Sequence, residues 1–282
     1  MTKGILIADS GSTKTDWLLV RPDGTYTELH TDGINPARDA RAIIYNVIHQ
    51  QLLPWLPLRT ELQIVYFYGA GCIEPFSSNV KSVLHELMLD CKIEVESDLL
   101  GAARALCAHE PGIACILGTG ANSCLYDGKK ITRNTPPLGY ILGDEGSGAM
   151  LGKTLLSDLF KGILPDTLRQ DFNSKYKFSQ ADIIEHVYRK PAANAFLASF
   201  VPFIAEHRTH PAIHDMLVNA FRLFLTRNVA AYGQSAMPVH YVGGIAYQFA
   251  EELTKATTAT GMIMGRILRR PIEEIAKYHC FT

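Results

Sequence analysis

The 282-residue chain carries 27 basic and 28 acidic side chains, a formal net charge of −1, with 47% hydrophobic and 20% charged residues. That length and balance specify a compact soluble protein with a large core, in one big domain or two of ordinary size, and exclude a disordered chain. No basic excess favours nucleic acid or an anionic membrane surface, no apolar run spans a bilayer, and Gly4–Ala8 is too short for a signal-peptide core.

Residues Ile5 to Val20 form two apolar runs around the polar turn Asp9-Ser10-Gly11-Ser12-Thr13-Lys14-Thr15-Asp16, the composition of a β-hairpin. Amides around Gly11, the hydroxyls of Ser12 and Thr13 and the ammonium of Lys14 suit a phosphate. Asp9 joins them only if Mg²⁺, or its bound water, lies between the like charges. A surface hairpin with a polar tip explains the same composition. Residues 25–30 predict a third antiparallel strand, and residues 31–36 a loop in which Asn35 is a turn former or a hydrogen-bond partner for a substrate.

A helix follows with Ile43, Ile44, Val47, Ile48 and Leu52 on its apolar face, ended by Pro54 and Pro57. Next come a buried strand over 62–68, a helix capped by Ser77 or Ser78, and a strand over 93–96. A third helix opens at Asp98, which is either its N-cap or a general base at the C-terminal end of a strand. This order predicts an α/β layer with an antiparallel hairpin on one edge.

The pattern then restarts at a spacing of roughly 100 residues. Ile113–Leu117 leads into Gly118-Thr119-Gly120, a turn that is weak evidence alone but a candidate phosphate cradle when paired with the first hairpin. Gly143-Asp144-Glu145-Gly146 precedes a long helical stretch, where the acids read as an ordinary pair on the helix N-terminus. Within it, residues 147–154 stand one residue from a P-loop, yet their helical spacing places Lys153 well inside a helix. Residues 178–232 are mostly helical, broken at Pro191, Pro202 and Pro211. Val242-Gly243-Gly244 joins a strand to a helix, a junction for close packing or for a flat ring against the backbone. The six cysteines form no C-x-x-C pair and read as buried thiols of a reducing, cytoplasmic setting; His207, His210 and His214 form no metal motif.

In chain order, Asp9–Thr15, Asn35, Asp98, Leu117–Gly120, Gly143–Gly146 and Val242–Gly244 resemble the N-acetylglucosamine kinase branch of the BadF-type ATPase family, in the acetate and sugar kinase/Hsp70/actin superfamily. The resemblance covers nearly the whole chain. It implies two ribonuclease-H-like (actin-like ATPase) domains, 1–114 and 115–270 with a helical insertion, around a nucleotide cleft, and a 271–282 segment packing back on the first. It further implies that Asp9, Gly11, Ser12, Thr13 and Lys14 serve the ATP phosphates, with Asp9 reaching Mg²⁺ through water. Gly118, Thr119 and Gly120 would meet the phosphates from the other side and Gly243 and Gly244 the adenosine. Asp98 would be the base, and Asn35, Asp98, Gly139 and Asp144 would contact the amino sugar.

Pro137-Leu138-Gly139 departs from the Gly-Gly-Trp stretch of the eukaryotic sugar kinase, so N-acetylmuramic acid stands beside N-acetylglucosamine as substrate. A homodimer is compatible with the same resemblance. Two other classes compete: an ATPase that activates a partner enzyme, which in this family needs an iron–sulfur cysteine that the 143–148 segment lacks, and a silent sugar- or nucleotide-binding regulator, against which Asp98 argues.

Overall fold

The computed structural model describes residues 3–11, 13–56, 62–88 and 90–280; Ser12 and Pro57 lie outside the described residues. The chain divides into two units, Met1–Glu110 with Gly128–Lys130 and Arg270–Thr282, and Pro111–Asp127 with Ile131–Arg269.

Unit 1 is built on the sheet β3-β2-β1-β4-β5. Strands β1 (Gly4–Ser10), β2 (Lys14–Val20) and β3 (Tyr26–Asp32) form an antiparallel meander, and β4 (Leu62–Gly69) and β5 (Lys92–Ser97) add in parallel to β1. Side chains alternate across such a sheet. One face sends Leu6, Ala8, Trp17, Val65 and Phe67 into an apolar core with α1 (Arg41–Val47) and α2 (Ser77–Leu87). The other carries Asp9, Asp16 and Tyr68, and α3 (Asp98–Cys107) packs on it. Ile43, expected on the buried face of α1, is 52% exposed, while Ile44, Val47, Ile48 and Leu52 are buried as the helix widens into a π-helical turn at Ile48–Leu52. Neither Ser77 nor Ser78 caps α2: both lie inside its first turn, donating to Glu74 and to the Pro75 carbonyl.

Unit 2 repeats the topology with the sheet β10-β9-β6-β7-β8. Strands β6 (Pro111–Leu117), β7 (Ala121–Asp127) and β8 (Ile131–Asn134) form its meander, with β9 (Pro238–Val242) and β10 (Ile263–Leu268) in parallel. Helices α4 (Gly139–Leu142), α5 (Gly148–Phe160), α6 (Asp166–Tyr176), α7 (Gln180–Tyr188), α8 (Ala193–Ala198), α9 (Val201–Glu206) and α10 (Pro211–Phe224) lie between β8 and β9. They bury an aromatic cluster around Phe172, Phe200, Phe203 and Phe221. Pro202 and Pro211 open helices rather than break them: each stands in a first turn, where a missing N–H costs nothing. Helices α11 (Gly244–Gln248) and α12 (Ala250–Ala259) complete this unit.

Helix α13 (Ile272–Cys280) belongs to unit 1, packing on α3, β1 and β2 through Ile272, Ile275 and Ala276. His279 stacks on Tyr66 at 3.6 Å and its Nε2 lies 2.6 Å from the Tyr68 hydroxyl, which also accepts from Arg104. Burial, then the Arg104 charge, holds His279 down at about 4, so its ring is neutral at ordinary pH. Among the described residues, no helix is long and apolar enough to cross a membrane.

Candidate active site

The C-terminal ends of β1, β4 and β5 lie side by side in unit 1, with Ser10, Gly69 and Ser97 in register across two strand spacings. That edge is where open α/β sheets collect their ligands. From it leave the β1–β2 hairpin turn, the turn after β4 and α3. Ser10 ties a fourth segment to them: its Oγ donates to the Ile34 carbonyl (3.0 Å) and accepts from the Ile34 amide (3.1 Å). The Gly33 amide adds a bond to the Thr13 carbonyl. Asn35 is thereby held beside the hairpin and against Gly71, where an added Cβ would stand 2.1 Å from the Asn35 Oδ1. Its Oδ1 accepts from the Ala37 amide, an Asx turn, so the turn-forming reading of Asn35 holds locally.

Asp98 is the first residue of α3, and the cap is Ser97, whose Oγ accepts from the Leu100 amide at 3.2 Å. The N-cap reading of Asp98 is thus corrected by one residue. The Asp98 Oδ1 accepts from the Leu99 amide at 2.8 Å. Burial raises Asp98 to about 6, against the lowering effect of the Leu99 amide and its own. Asp9 is raised further, to about 7, first by burial, then by the charges of Asp98 and Asp16; Lys14 and Arg270 pull the other way. The Asp9 carboxyl thus senses the Asp98 charge at the strand ends, and Lys14 and Arg270 offset it only in part.

Asp16, paired with Asp9 in the β1–β2 register, was given no role from sequence. It is buried, and its Oδ1 lies 2.7 Å from both the Lys14 ammonium and the His30 Nδ1. Lys14 is therefore partly neutralised from within the protein before any phosphate arrives. The seven-residue separation of Asp9 and Asp16 around a two-sided turn was the available signal, since it makes them cross-strand partners.

In unit 2 the Gly118-Thr119-Gly120 turn closes on itself, the Gly118 amide donating to the Gly120 carbonyl at 2.9 Å. The N-terminus of α5 is pinned beneath it: Gly148 and Ala149 donate to the carbonyls of Gly118 and Thr119. Asp144 lies against this turn, its Oδ1 accepting from the Ala121 amide at 3.2 Å and its Oδ2 3.1 Å from where a Gly120 Cβ would sit. Burial raises its proton affinity, and Lys153 tempers the rise. Asp144 and Glu145 are not first-turn acids of α5, whose cap is Ser147: Asp144 has a left-handed backbone (φ 56°), and Glu145 is buried against Arg227 and Asn228. Gly243, with φ 123°, brings the β9–α11 junction onto the end of β6, since a Cβ there would stand 2.3 Å from the Leu117 carbonyl. Gly244 is open on the side where a Cβ would project, and so is Gly139, which starts α4 one turn before Gly143.

Unit 1 therefore gathers Asp9, Gly11, Thr13, Lys14, Asn35 and Asp98, and unit 2 gathers Gly118, Thr119, Gly120, Asp144 and Gly243. Among the described residues no group of three or more His, Cys, Asp or Glu could hold a metal by itself.

No family model matches the chain, and no curated protein matches it. Among solved structures, the putative N-acetylglucosamine kinase of Porphyromonas gingivalis superposes with a TM-score of 0.95 at 45% identity, covering 98% of both chains. The putative N-acetylglucosamine kinase of Chromobacterium violaceum gives a TM-score of 0.75 at 19% identity, again over 98% of each. The ethanolamine utilization protein EutJ of Carboxydothermus hydrogenoformans gives 0.54 at 14% identity, over 98% of this chain and 87% of its own. The last two share the fold, that of the actin-like ATPases, with its two sheets of matching topology. By its likeness to the Porphyromonas protein along its length, the chain belongs to the N-acetylglucosamine kinase-like family.

Proposed function

We propose that the protein is an ATP-dependent kinase that phosphorylates a hydroxyl of an amino sugar, N-acetylglucosamine or a related N-acetylhexosamine such as N-acetylmuramic acid. The observation that carries this reading is Asp98, a carboxylate raised to about 6 at the ligand-collecting edge of the unit 1 sheet, beside Asp9. A base of that strength is ionised at neutral pH yet accepts a proton readily in a transition state. In this reading the sugar hydroxyl gives its proton to Asp98 as its oxygen attacks the γ-phosphorus of ATP. The bond from phosphorus to the bridging oxygen breaks in line, and ADP leaves with that electron pair.

Asn35, Gly139 and Asp144 contact the sugar, while Gly11, Ser12, Thr13 and Lys14 serve the phosphates. Gly118, Thr119 and Gly120 also serve phosphates, and Gly243 and Gly244 the adenosine. Asp9 would hold Mg²⁺ through water, and the ion would offset the charge of the phosphates. The rest of catalysis is positioning. ADP release measured with Mg-ATP over a panel of amino sugars tests the proposal. Turnover dependent on an N-acetylhexosamine is expected, and the absence of sugar-dependent turnover on any member overturns it.

A further inference from the structure

Next to α4, which Gly139 starts, unit 2 contains a further cleft of about 520 Å³, within the size range of small-molecule pockets. Leu156 and Phe160 of α5 and Ile184 and Val187 of α7 give it apolar walls. Its charged lining residues are Lys153 and Lys161; no carboxylate lines it, although Asp158 lies close enough to sense the Lys161 charge. Lys153 is the lysine of the P-loop-like stretch, which the kinase reading leaves without a task. It stands mid-helix in α5, and its ammonium donates to the Tyr140 carbonyl of α4 at 3.1 Å. An ammonium has three donors, so a ligand oxygen can join without breaking that bond.

We propose that this cleft binds an amphiphilic carboxylate, its head on Lys153 and its apolar body against Leu156, Phe160, Ile184 and Val187. Charge selects this occupant over a second copy of the chain. A self-complementary contact would bring the lysines of both copies to one apolar seam with no lining carboxylate to meet them. Length agrees: Leu156 and Phe160 follow Lys153 by about 5 and 11 Å of rise along α5, enough to lie along an extended eight-carbon chain. The ligand would also lean on the ammonium that anchors α4, the turn that leads into Gly143 and Asp144.

Isothermal titration of the full-length protein with octanoate and with 1-octanol tests this independently of kinase activity. Octanoate should bind saturably at one site and 1-octanol about tenfold more weakly, because a charge-assisted hydrogen bond is lost. Lys153→Met, at an exposed position, should weaken octanoate by about five- to tenfold and leave 1-octanol unchanged. Ser157→Phe, which fills the cleft, should abolish both, with circular dichroism confirming the fold. Equal binding of the two ligands, no effect of Lys153→Met, or no binding of octanoate overturns the proposal. So does a dimer in sedimentation equilibrium that Ser157→Phe dissociates.

Discussion

Replacing Asp98 by Asn separates two consequences of one buried carboxylate. Burial raises Asp98 from an ordinary 3.8 to about 6, and at about 1.4 kcal/mol per pH unit its ionisation costs the folded protein about 3 kcal/mol more than the unfolded chain. The folded state holds the proton more tightly, so the stability that proton brings is full below about pH 4 and lost as pH rises through about 6. Asparagine keeps an oxygen for the Leu99 amide and carries no charge. Asp98→Asn should therefore match the wild type near pH 4 and exceed it by up to about 3 kcal/mol at pH 8. Relief of Asp9, which senses the Asp98 charge, acts in the same direction.

Urea unfolding followed by tryptophan fluorescence measures this in the right place, because the two tryptophans, Trp17 and Trp55, both belong to unit 1. The same variant should lose about 10²–10⁴-fold in kcat if Asp98 is the base. A stability gain that does not grow between pH 4 and pH 8 would refute the burial argument. Wild-type kcat in the variant would refute the choice of base.

The pH profile of kcat/KM, which reports the free enzyme, should climb through pH 6 to 7 as Asp98 and Asp9 ionise; an acid limb near pH 4 contradicts this. Gly71→Ala puts a Cβ 2.1 Å from the Asn35 Oδ1 and should raise the sugar KM about tenfold, for about 1–2 kcal/mol of displacement, while steady-state assays find the ATP KM little changed. Gly243→Ala meets the Leu117 carbonyl from a left-handed backbone and should cost about 1–3 kcal/mol or more, read as a lower melting temperature with a raised ATP KM.

Much of this architecture was legible where polarity contrasts sharply with position. The hairpins β1–β2 and β6–β7 announce themselves because apolar runs flank short Gly-containing turns at Gly11 and at Gly118–Gly120. Strands β8 and β10 do not, since one is a mostly exposed edge and the other is half-buried and interrupted by Gly265. At the start of α3, Ser97 and Asp98 are both good caps, and composition cannot order two adjacent capping residues; only the backbone decides which oxygen reaches Leu100. The local setting of Asp144, which was named only through the family resemblance, was hidden for a different reason. Its contact with the Ala121 amide joins segments 23 residues apart, and its left-handed backbone removes it from the helix that its neighbours appear to start. Asp16 and His30 meet across a register that the hairpin spacing contains, but a polar pair on adjacent strands reads first as a solvated face.

The return of α13 to unit 1 has a consequence for biosynthesis. Residues up to Glu110 leave the ribosome first, yet Ile272, Ile275 and Ala276, which cover the apolar seat on β1, β2 and α3, follow only after all of unit 2. At about 5–20 residues per second, the intervening stretch of about 160 residues takes about 8–30 s. Throughout that time a nascent chain presents unit 1 incomplete, while all of the residues of unit 2 precede Arg270. A ribosome that stalls before Arg270 would thus release a complete second unit attached to an open first one, a form that chaperones and proteases can tell from the finished protein.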